Sequence, residues 1–298
     1  MPLVSPPEER FEGVPEYDYP VDRVTVTDDG AAMAYVDVPG EGEETFLCLH
    51  GEPTWGFLYR KMIPRLRERG RVVVPDFVGF GRSDRYTDVD EYGFEMHYQT
   101  LERFVEAVDL EGVTLICQDW GGILGLPLAV SDQPGRFDRI VAMNALLTDG
   151  EIELVETWHR FRDMVVETDE LDVARLIDGG CVSTLSDEVL AGYRAPFPDE
   201  ASKAGAYAWP PMVPQTPEMP GAERHAQLRD DLEEWDKPFF ALFADSDPIT
   251  EQYRDLFRDL VPTAEDEPDV WVEAAGHFLQ EDAGEACADH VVDFVDRR

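Results

Sequence analysis

The chain has few basic residues. It holds 25 lysines and arginines against 64 aspartates and glutamates, a formal net charge of −39 over 298 residues. A field of that sign repels nucleic acid and anionic membranes, so we expect neither as a partner. The acidic residues occur in every segment of the chain. A surface that binds one partner would instead concentrate them in one patch. An acidic coat keeps a protein soluble in molar salt, where charges are screened within about 3 Å. The composition therefore predicts adaptation to high salt.

Cysteines and long apolar runs are also scarce. Cys48, Cys117, Cys181 and Cys287 lie far apart, and neither CxxC nor HExxH spacing occurs. We therefore expect free thiols, no metal site and no cofactor. No run of 18 apolar residues exists, and MPLVSPPEER at the start lacks the features of a signal peptide. These absences predict a cytoplasmic protein with no membrane span.

The chain does contain short apolar runs that alternate with helical patterns. Strands are predicted at 23–27, 32–38, 45–51, 113–119, 138–145, 238–247 and 269–277, and residues 71–84 are predicted to form a further strand and the loop after it. Helices are predicted at 57–70, 97–112 and 285–297. This alternation predicts an α/β fold with a mostly parallel sheet flanked by helices. Residues 147–225 carry helical patterns and a proline-rich part without a clear strand. They predict a helical cap inserted into a core of residues 1–146 and 226–298.

Four of the predicted strands end in chemically useful polar groups, at the carboxyl ends where the functional residues of open α/β sheets lie. They belong to HGEP (50–53) and to Asp119, Asp247 and His277. In TLICQDWGGILG (114–125), a buried strand stops at Asp119 before two glycines that open a helix, which is the layout of a nucleophile elbow. Nucleophile, acid and histidine also follow the chain order of the α/β-hydrolase triad. The pattern predicts a hydrolase whose nucleophile is a carboxylate, already ionised at neutral pH.

The sequence resembles the haloalkane dehalogenases of the α/β-hydrolase superfamily over nearly its whole length. The matching stretches are CLHGEPTWGFLYRKMIP (48–64), PDFVGFGRSD (75–84), QDWGG (118–122), MNALLTD (143–149), APFPDE (195–200) and AGHFLQE (275–281). Asn144 stands where another subfamily of these enzymes carries its triad acid, which leaves Asp247 as the acid here. Asp245 is not excluded by spacing, although the alignment favours Asp247.

The resemblance and the chemistry of these residues together predict a two-step reaction on a small haloalkane. Asp119 displaces halide from an sp³ carbon and becomes an ester. His277 then takes a proton from the water that attacks the ester, while Asp247 orients the imidazole. The backbone N–H groups of Glu52 and Trp120 are expected to form the oxyanion hole.

Halide binding is predicted at indole N–H groups, which donate hydrogen bonds without offering a base. Trp120 follows the nucleophile, and Trp158 matches the position of the second donor in the family. Trp158 could instead be ordinary cap packing, with Trp209 and Trp55 as other candidates. The predicted apolar pocket wall consists of Ile123, Phe161, Phe197, Trp209, Met212, Val213 and Ile249.

Three alternative functions remain open from the sequence. An epoxide hydrolase shares the Asp–His–Asp triad but needs cap tyrosines, and Tyr193 and Tyr207 are the cap's only ones. A fluoroacetate-type dehalogenase needs arginines for a carboxylate, which Arg160, Arg162 or Arg175 could supply. A non-catalytic ligand receptor on the same fold is the third alternative, and the intact triad argues against it.

Overall fold

One eight-stranded sheet organises the chain in a computed structural model that describes residues 3–298. Residues 1 and 2 of the predicted core segment 1–146 lie outside the described residues. The strands are β1 (Val21–Thr25), β2 (Ala32–Val38), β3 (Glu44–Leu49), β4 (Gly70–Pro75), β5 (Val113–Asp119), β6 (Phe137–Ala145), β7 (Phe239–Ala244) and β8 (Trp271–Val272). The α-helices are α1 (Ile63–Leu66), α2 (Phe94–Ala107), α3 (Trp120–Pro127), α4 (Glu156–Glu167), α5 (Val173–Gly179), α6 (Asp187–Arg194), α7 (Ala204–Met212), α8 (Ala222–Glu233), α9 (Glu251–Leu260) and α10 (Leu279–Arg297).

The sheet is mostly parallel, as predicted, in the order β1-β2-β4-β3-β5-β6-β7-β8. Only β2 runs against its neighbours, β1 and β4. The central strands are buried on both faces, and every residue of β7 is buried. Their near-continuous apolar runs explain this, because a strand covered by helices on both sides has no polar face. The carboxyl ends of β3, β5 and β7 consequently open at the same edge of the sheet.

Two predicted elements differ from the observed ones. The helix expected over 57–70 is a short 3₁₀ turn, Gly56–Tyr59, followed by the single turn α1. Pro64 has no N–H to donate to an earlier carbonyl, so it starts a helix rather than continuing one. The strand expected over 269–277 pairs with β7 only through the two residues of β8. Beyond it the chain turns, with Ala274 at φ 56°, and leads to His277.

The chain between β6 and β7 contains helices α4 to α8 and no strand. Helix α8 crosses the predicted domain boundary at 225/226. Its His225 lies 2.9 Å, Nε2 to O, from the carbonyl of Ile123 in α3 and accepts from the N–H of Thr148 at 3.1 Å. This helix is therefore attached to the helical layer of the sheet. No helix within residues 3–298 combines the length and apolarity needed to cross a bilayer.

Candidate active site

Asp119 stands at the sharp turn between β5 and α3. Its backbone has φ 51° and ψ −119°, a conformation that costs a non-glycine residue free energy and that clusters at functional sites. Its Oδ1 accepts a hydrogen bond from the backbone N–H of Glu52 at 2.7 Å. A Cβ on Gly51 would lie 2.3 Å from that oxygen, so only glycine permits this approach. The turn thus presents a carboxylate to a backbone donor beyond the end of β3.

His277 lies between two carboxylates. Its Nδ1 is 2.9 Å from Asp247 Oδ2, and its Nε2 is 3.7 Å from Asp119 Oδ2, longer than a hydrogen bond. Asp247 is fully buried and accepts from the hydroxyl of Thr250 and from the N–H of Ile249. The structure therefore brings the three predicted triad residues into one line.

Asp245, the alternative acid, faces away from the histidine. Its carboxylate accepts from the backbone N–H groups of Ala274 at 3.1 Å and Ala275 at 3.4 Å. It thereby holds the turn after β8. Of the two aspartates that sequence spacing left open, only Asp247 contacts His277.

Burial and neighbouring charges shift the pKa values of His277, Asp119 and Glu52. Burial lowers the pKa of His277, but the carboxylates of Asp247 and Asp119 outweigh it and raise the value to about 9. Burial raises the pKa of Asp119, although His277 and the N–H groups of Glu52 and Trp120 counteract it. The carboxyl of Glu52 has its pKa raised well above the usual range, first by burial and then by Asp119. Its two oxygens are buried without a hydrogen-bond partner in residues 3–298. Burial without a partner and the neighbouring Asp119 charge thus both disfavour the ionised form of Glu52.

A cavity of about 480 Å³ lies over the line of triad residues. Asp119, Asp247 and His277 all line it, together with Glu52 and Trp120. The remaining wall is mainly apolar: Ile123, Leu146, Trp158, Phe161, Leu176, Pro210, Val213, Pro248, Ile249 and Phe278. The Asp119 carboxylate, the His277 imidazole and the buried Asp247 thus face an apolar space large enough for a small organic molecule.

Comparison with known proteins agrees with this geometry. Residues 44–284 match the family model for the alpha/beta hydrolase fold. A haloalkane dehalogenase of Psychrobacter cryohalolentis is 38% identical over 99% of this chain and 98% of its own. One of Mycolicibacterium paratuberculosis is 34% identical over 98% of each. The tetrameric haloalkane dehalogenase DpaA of Paraglaciecola agarilytica NO2 has a TM-score of 0.90 at 34% identity and 97% coverage of both chains.

The chain belongs to the haloalkane dehalogenases. It is therefore a hydrolase that acts on carbon–halide bonds.

The two tryptophans predicted to bind halide both line the cavity of this dehalogenase. Trp120 begins α3 and Trp158 lies in the first turn of α4, and both side chains are largely buried. Neither indole N–H donates a hydrogen bond to another of residues 3–298. Two unused donors are thus held in the wall of the cavity that Asp119 also lines.

The other candidate donors are not available to the cavity. The N–H of Trp209 donates to His97 Nε2 at 2.7 Å, and Trp55 lies in an aromatic cluster with Phe11 and Tyr17. Neither ring is among the residues that line the cavity.

Four of the seven predicted pocket residues line the cavity, namely Ile123, Phe161, Val213 and Ile249. The other three do not. Trp209 is fully buried behind Trp120 and stacks on it with ring centroids 4.9 Å apart. Met212 lies beside Val213 at the end of α7, and Val213 reaches the cavity instead. Phe197 packs against the guanidinium of Arg85 outside this cavity.

Sequence reasoning missed several groups that touch the site. The side chain of Gln118 lies against His277, with 3.1 Å between their Nε2 atoms. The Nδ2 of Asn144 donates to the backbone carbonyls of Gly276 and His277, each at 3.0 Å. Residues 179–182 form part of the cavity wall. Two signals in the sequence could have found these groups. One is a polar residue inside a buried strand, as Gln118 and Asn144 are, and the other is the Gly179–Gly180 pair.

Proposed function

We propose that Asp119 is the nucleophile of this haloalkane dehalogenase. An oxygen of its carboxylate attacks the carbon that bears the halogen, the carbon–halogen bond breaks, and halide leaves with the electron pair. An alkyl ester of Asp119 remains. The observation that carries this proposal is the line from Asp119 through His277 to Asp247 at the base of an apolar cavity. Low polarity in the wall suits neutral substrates and leaves the carboxylate poorly solvated, hence reactive.

In the second step, His277 takes a proton from water and the resulting hydroxide attacks the ester carbonyl carbon. The tetrahedral intermediate then expels the alcohol and restores the Asp119 carboxylate, and the proton is lost to solvent. The carbonyl oxygen is held by the N–H groups of Glu52 and Trp120, of which that of Glu52 already donates to Asp119 Oδ1 at 2.7 Å. The buried Asp247 keeps Nδ1 protonated, so that Nε2 is the base.

An assay of halide release from 1-bromobutane or 1,2-dibromoethane, alongside diol formation from styrene oxide, tests this function against an epoxide hydrolase. The contacts favour the first outcome. The hydroxyl of Tyr193 donates to Glu281 and that of Tyr207 to Glu200, and neither tyrosine lines the cavity. Diol formation without halide release would contradict the proposal.

The arginines give little support to a carboxylate substrate. Arg160 is exposed and pairs with Glu156, and Arg162 pairs with Asp163. Arg175 lines the cavity but is mostly exposed and lies 3.5 Å from an Asp172 oxygen. The net charge of −39 repels anionic haloacids, and the single charge of Arg175, paired with Asp172, does not offset that repulsion. Neutral haloalkanes are the better-matched substrates.

We further propose that Trp120 and Trp158 hold the departing halide. Replacing Trp158 by Phe removes one N–H and keeps an aromatic ring. Hydrogen bonds to charged groups are worth about 1.5–3 kcal/mol, so chloride or bromide affinity should fall by roughly tenfold or more. Product inhibition and halide-dependent tryptophan fluorescence both measure it. Trp235→Phe is the matched control, since Trp235 is buried outside the cavity. Unchanged halide inhibition in Trp158→Phe would remove Trp158 from this role.

The pH dependence should differ between the two steps. Esterification removes the Asp119 charge, one of the causes that raise the pKa of His277, so in the alkyl-enzyme this pKa should lie below about 9. The neutral imidazole is the base, so hydrolysis should be lost as the pH falls through that lowered value. Halide displacement needs ionised Asp119 and should persist to lower pH. Rapid-mixing measurements of the halide burst and of ester hydrolysis across pH check this. An acid limb of hydrolysis at or above pH 9 would contradict it.

We propose that residues 147–221 act as a cap, since α4, α5 and α7 contribute the cavity wall opposite the triad. The sequence predicted a cap of residues 147–225, whose end falls inside α8, and the proposed cap instead stops before that helix. The four free cysteines suit a reducing compartment and support a cytoplasmic location.

Adaptation to high salt is proposed because acidic residues outnumber lysines and arginines by 39, an excess that one-to-one pairing cannot neutralise. Raising KCl from about 0.05 to 3 M shortens the screening length to a few ångströms and should raise the melting temperature. Thermal unfolding at matched pH measures it. Sodium sulfate, which screens charge without supplying a halide, separates this effect from chloride binding in the cavity. A flat or falling melting temperature in KCl would count against salt adaptation and favour a basic partner.

A further inference from the structure

One carboxylate outside the triad joins the histidine segment to the cavity wall. Asp282 lies in the first turn of α10, five residues after His277. Its Oδ2 accepts from the backbone N–H of Gly276 at 2.9 Å and of Val182 at 2.8 Å. Its Oδ1 accepts from the N–H of Ser183 at 2.8 Å and from its hydroxyl at 2.6 Å. A single side chain therefore binds the residue before the base and the loop after α5.

The same two segments also meet directly. The backbone N–H of His277 donates to the carbonyl of Gly180 at 2.8 Å. A Cβ on Gly276 would lie 2.3 Å from that carbonyl oxygen, so the approach requires glycine. Residues 179–182 and 276–278 line the cavity side by side. The position of the base and the shape of this wall thus depend on one set of contacts.

Asp282 suits this task because its carboxylate accepts four hydrogen bonds. An ionised carboxylate offers about four lone-pair sites, all acceptors, and charge-assisted bonds are about twice as strong as neutral ones. An amide at this position would have one acceptor oxygen, and its NH₂ group would face other donors. An alanine would leave three backbone N–H groups without this partner.

We propose that Asp282 is a positioning residue that holds His277 in place for hydrolysis of the alkyl-enzyme, through Gly276, and fixes residues 180–183 against it. The inference rests on the two-step reaction proposed above. It predicts a selective defect, because halide displacement by Asp119 does not use His277 as a base. A loss of geometry at a catalytic group on the scale of 1 Å costs up to roughly a hundredfold in rate.

The test compares Asp282→Ala with wild type in rapid-mixing and steady-state assays with 1,2-dibromoethane. We expect the first bromide per active site to be released at the wild-type rate, followed by turnover that is slower than in wild type by roughly tenfold to a hundredfold. Mass spectrometry should then detect the accumulated alkyl-enzyme. Asp289→Asn is the matched control, because Asp289 lies on the same helix, is mostly exposed and pairs with Arg65. Both phases should be unchanged in that variant.

Two results would overturn the role of Asp282. One is wild-type turnover in Asp282→Ala, and the other is an equal reduction of burst and turnover in a folded variant, which a purely structural role predicts. If Asp282→Ala does not fold, Asp282→Asn decides: a smaller defect confined to hydrolysis supports the role, and unchanged hydrolysis contradicts it. Absence of halide release by the wild-type enzyme would instead refute the proposed reaction.

Discussion

Asp119→Asn should lose turnover by about 10⁴-fold or more, the scale seen when a hydrolase loses its nucleophile. A neutral amide cannot displace halide, so neither the burst nor the ester should form. The fold should persist, because the amide oxygen can still accept the 2.7 Å hydrogen bond from the N–H of Glu52. Halide release and circular dichroism on the same sample measure the two effects.

Deamidation of the new asparagine is the main complication of this experiment, since it would restore Asp119 and a slowly rising activity. Mass spectrometry of the peptide that contains residues 114–125 detects it. Wild-type turnover by a variant that remains fully amidated would rule out the covalent route. An Asp245→Asn variant is a suitable comparison, because Asp245 binds the turn after β8 and does not contact His277.

The place of Asp119 at the edge of the sheet could be predicted because the pattern that points to it is local. A buried parallel strand that ends in a polar residue must present that residue at the carboxyl edge of the sheet, so Asp119 followed from its strand and the glycines after it. The choice between Asp245 and Asp247 could not be made from the strand. β7 ends at Ala244, and beyond it side-chain direction is set by the loop and by the N–H groups of Ala274 and Ala275.

The cavity-lining residues of segment 147–225 were harder to predict, because tertiary packing positions the helices of this segment. An aromatic residue in a short helix can face the cavity or the layer behind it, and its spacing does not distinguish these. Trp209 lies behind Trp120, where its N–H donates to a buried His97 whose pKa burial lowers to about 3. Pro210, its neighbour, lines the cavity instead. The contacts of Asp282 join segments 100 residues apart, so no sequence pattern predicted them.

His277→Gln should separate the two chemical steps. In the proposed reaction, halide displacement by Asp119 does not use the imidazole as a base, so one equivalent of halide should still be released. Hydrolysis needs the imidazole as base and should slow by roughly 10²- to 10⁴-fold, the usual contribution of general base catalysis. The alkyl group should remain on Asp119, and intact-mass spectrometry should find the protein heavier by the substrate minus its halogen.

The His277→Gln change has a second effect, because it also removes a positive charge beside Asp119. His277 lowers the pKa of Asp119, so without it that pKa should rise and the burst should require a higher pH than in wild type. Measuring the burst across pH keeps this change apart from the loss of the base. The Gln118 contact also disappears, and Gln118→Ala in the wild-type background controls for it. Absence of both burst and adduct at every pH, in a folded variant, would mean that His277 is needed before the ester forms, which the proposed order of steps forbids.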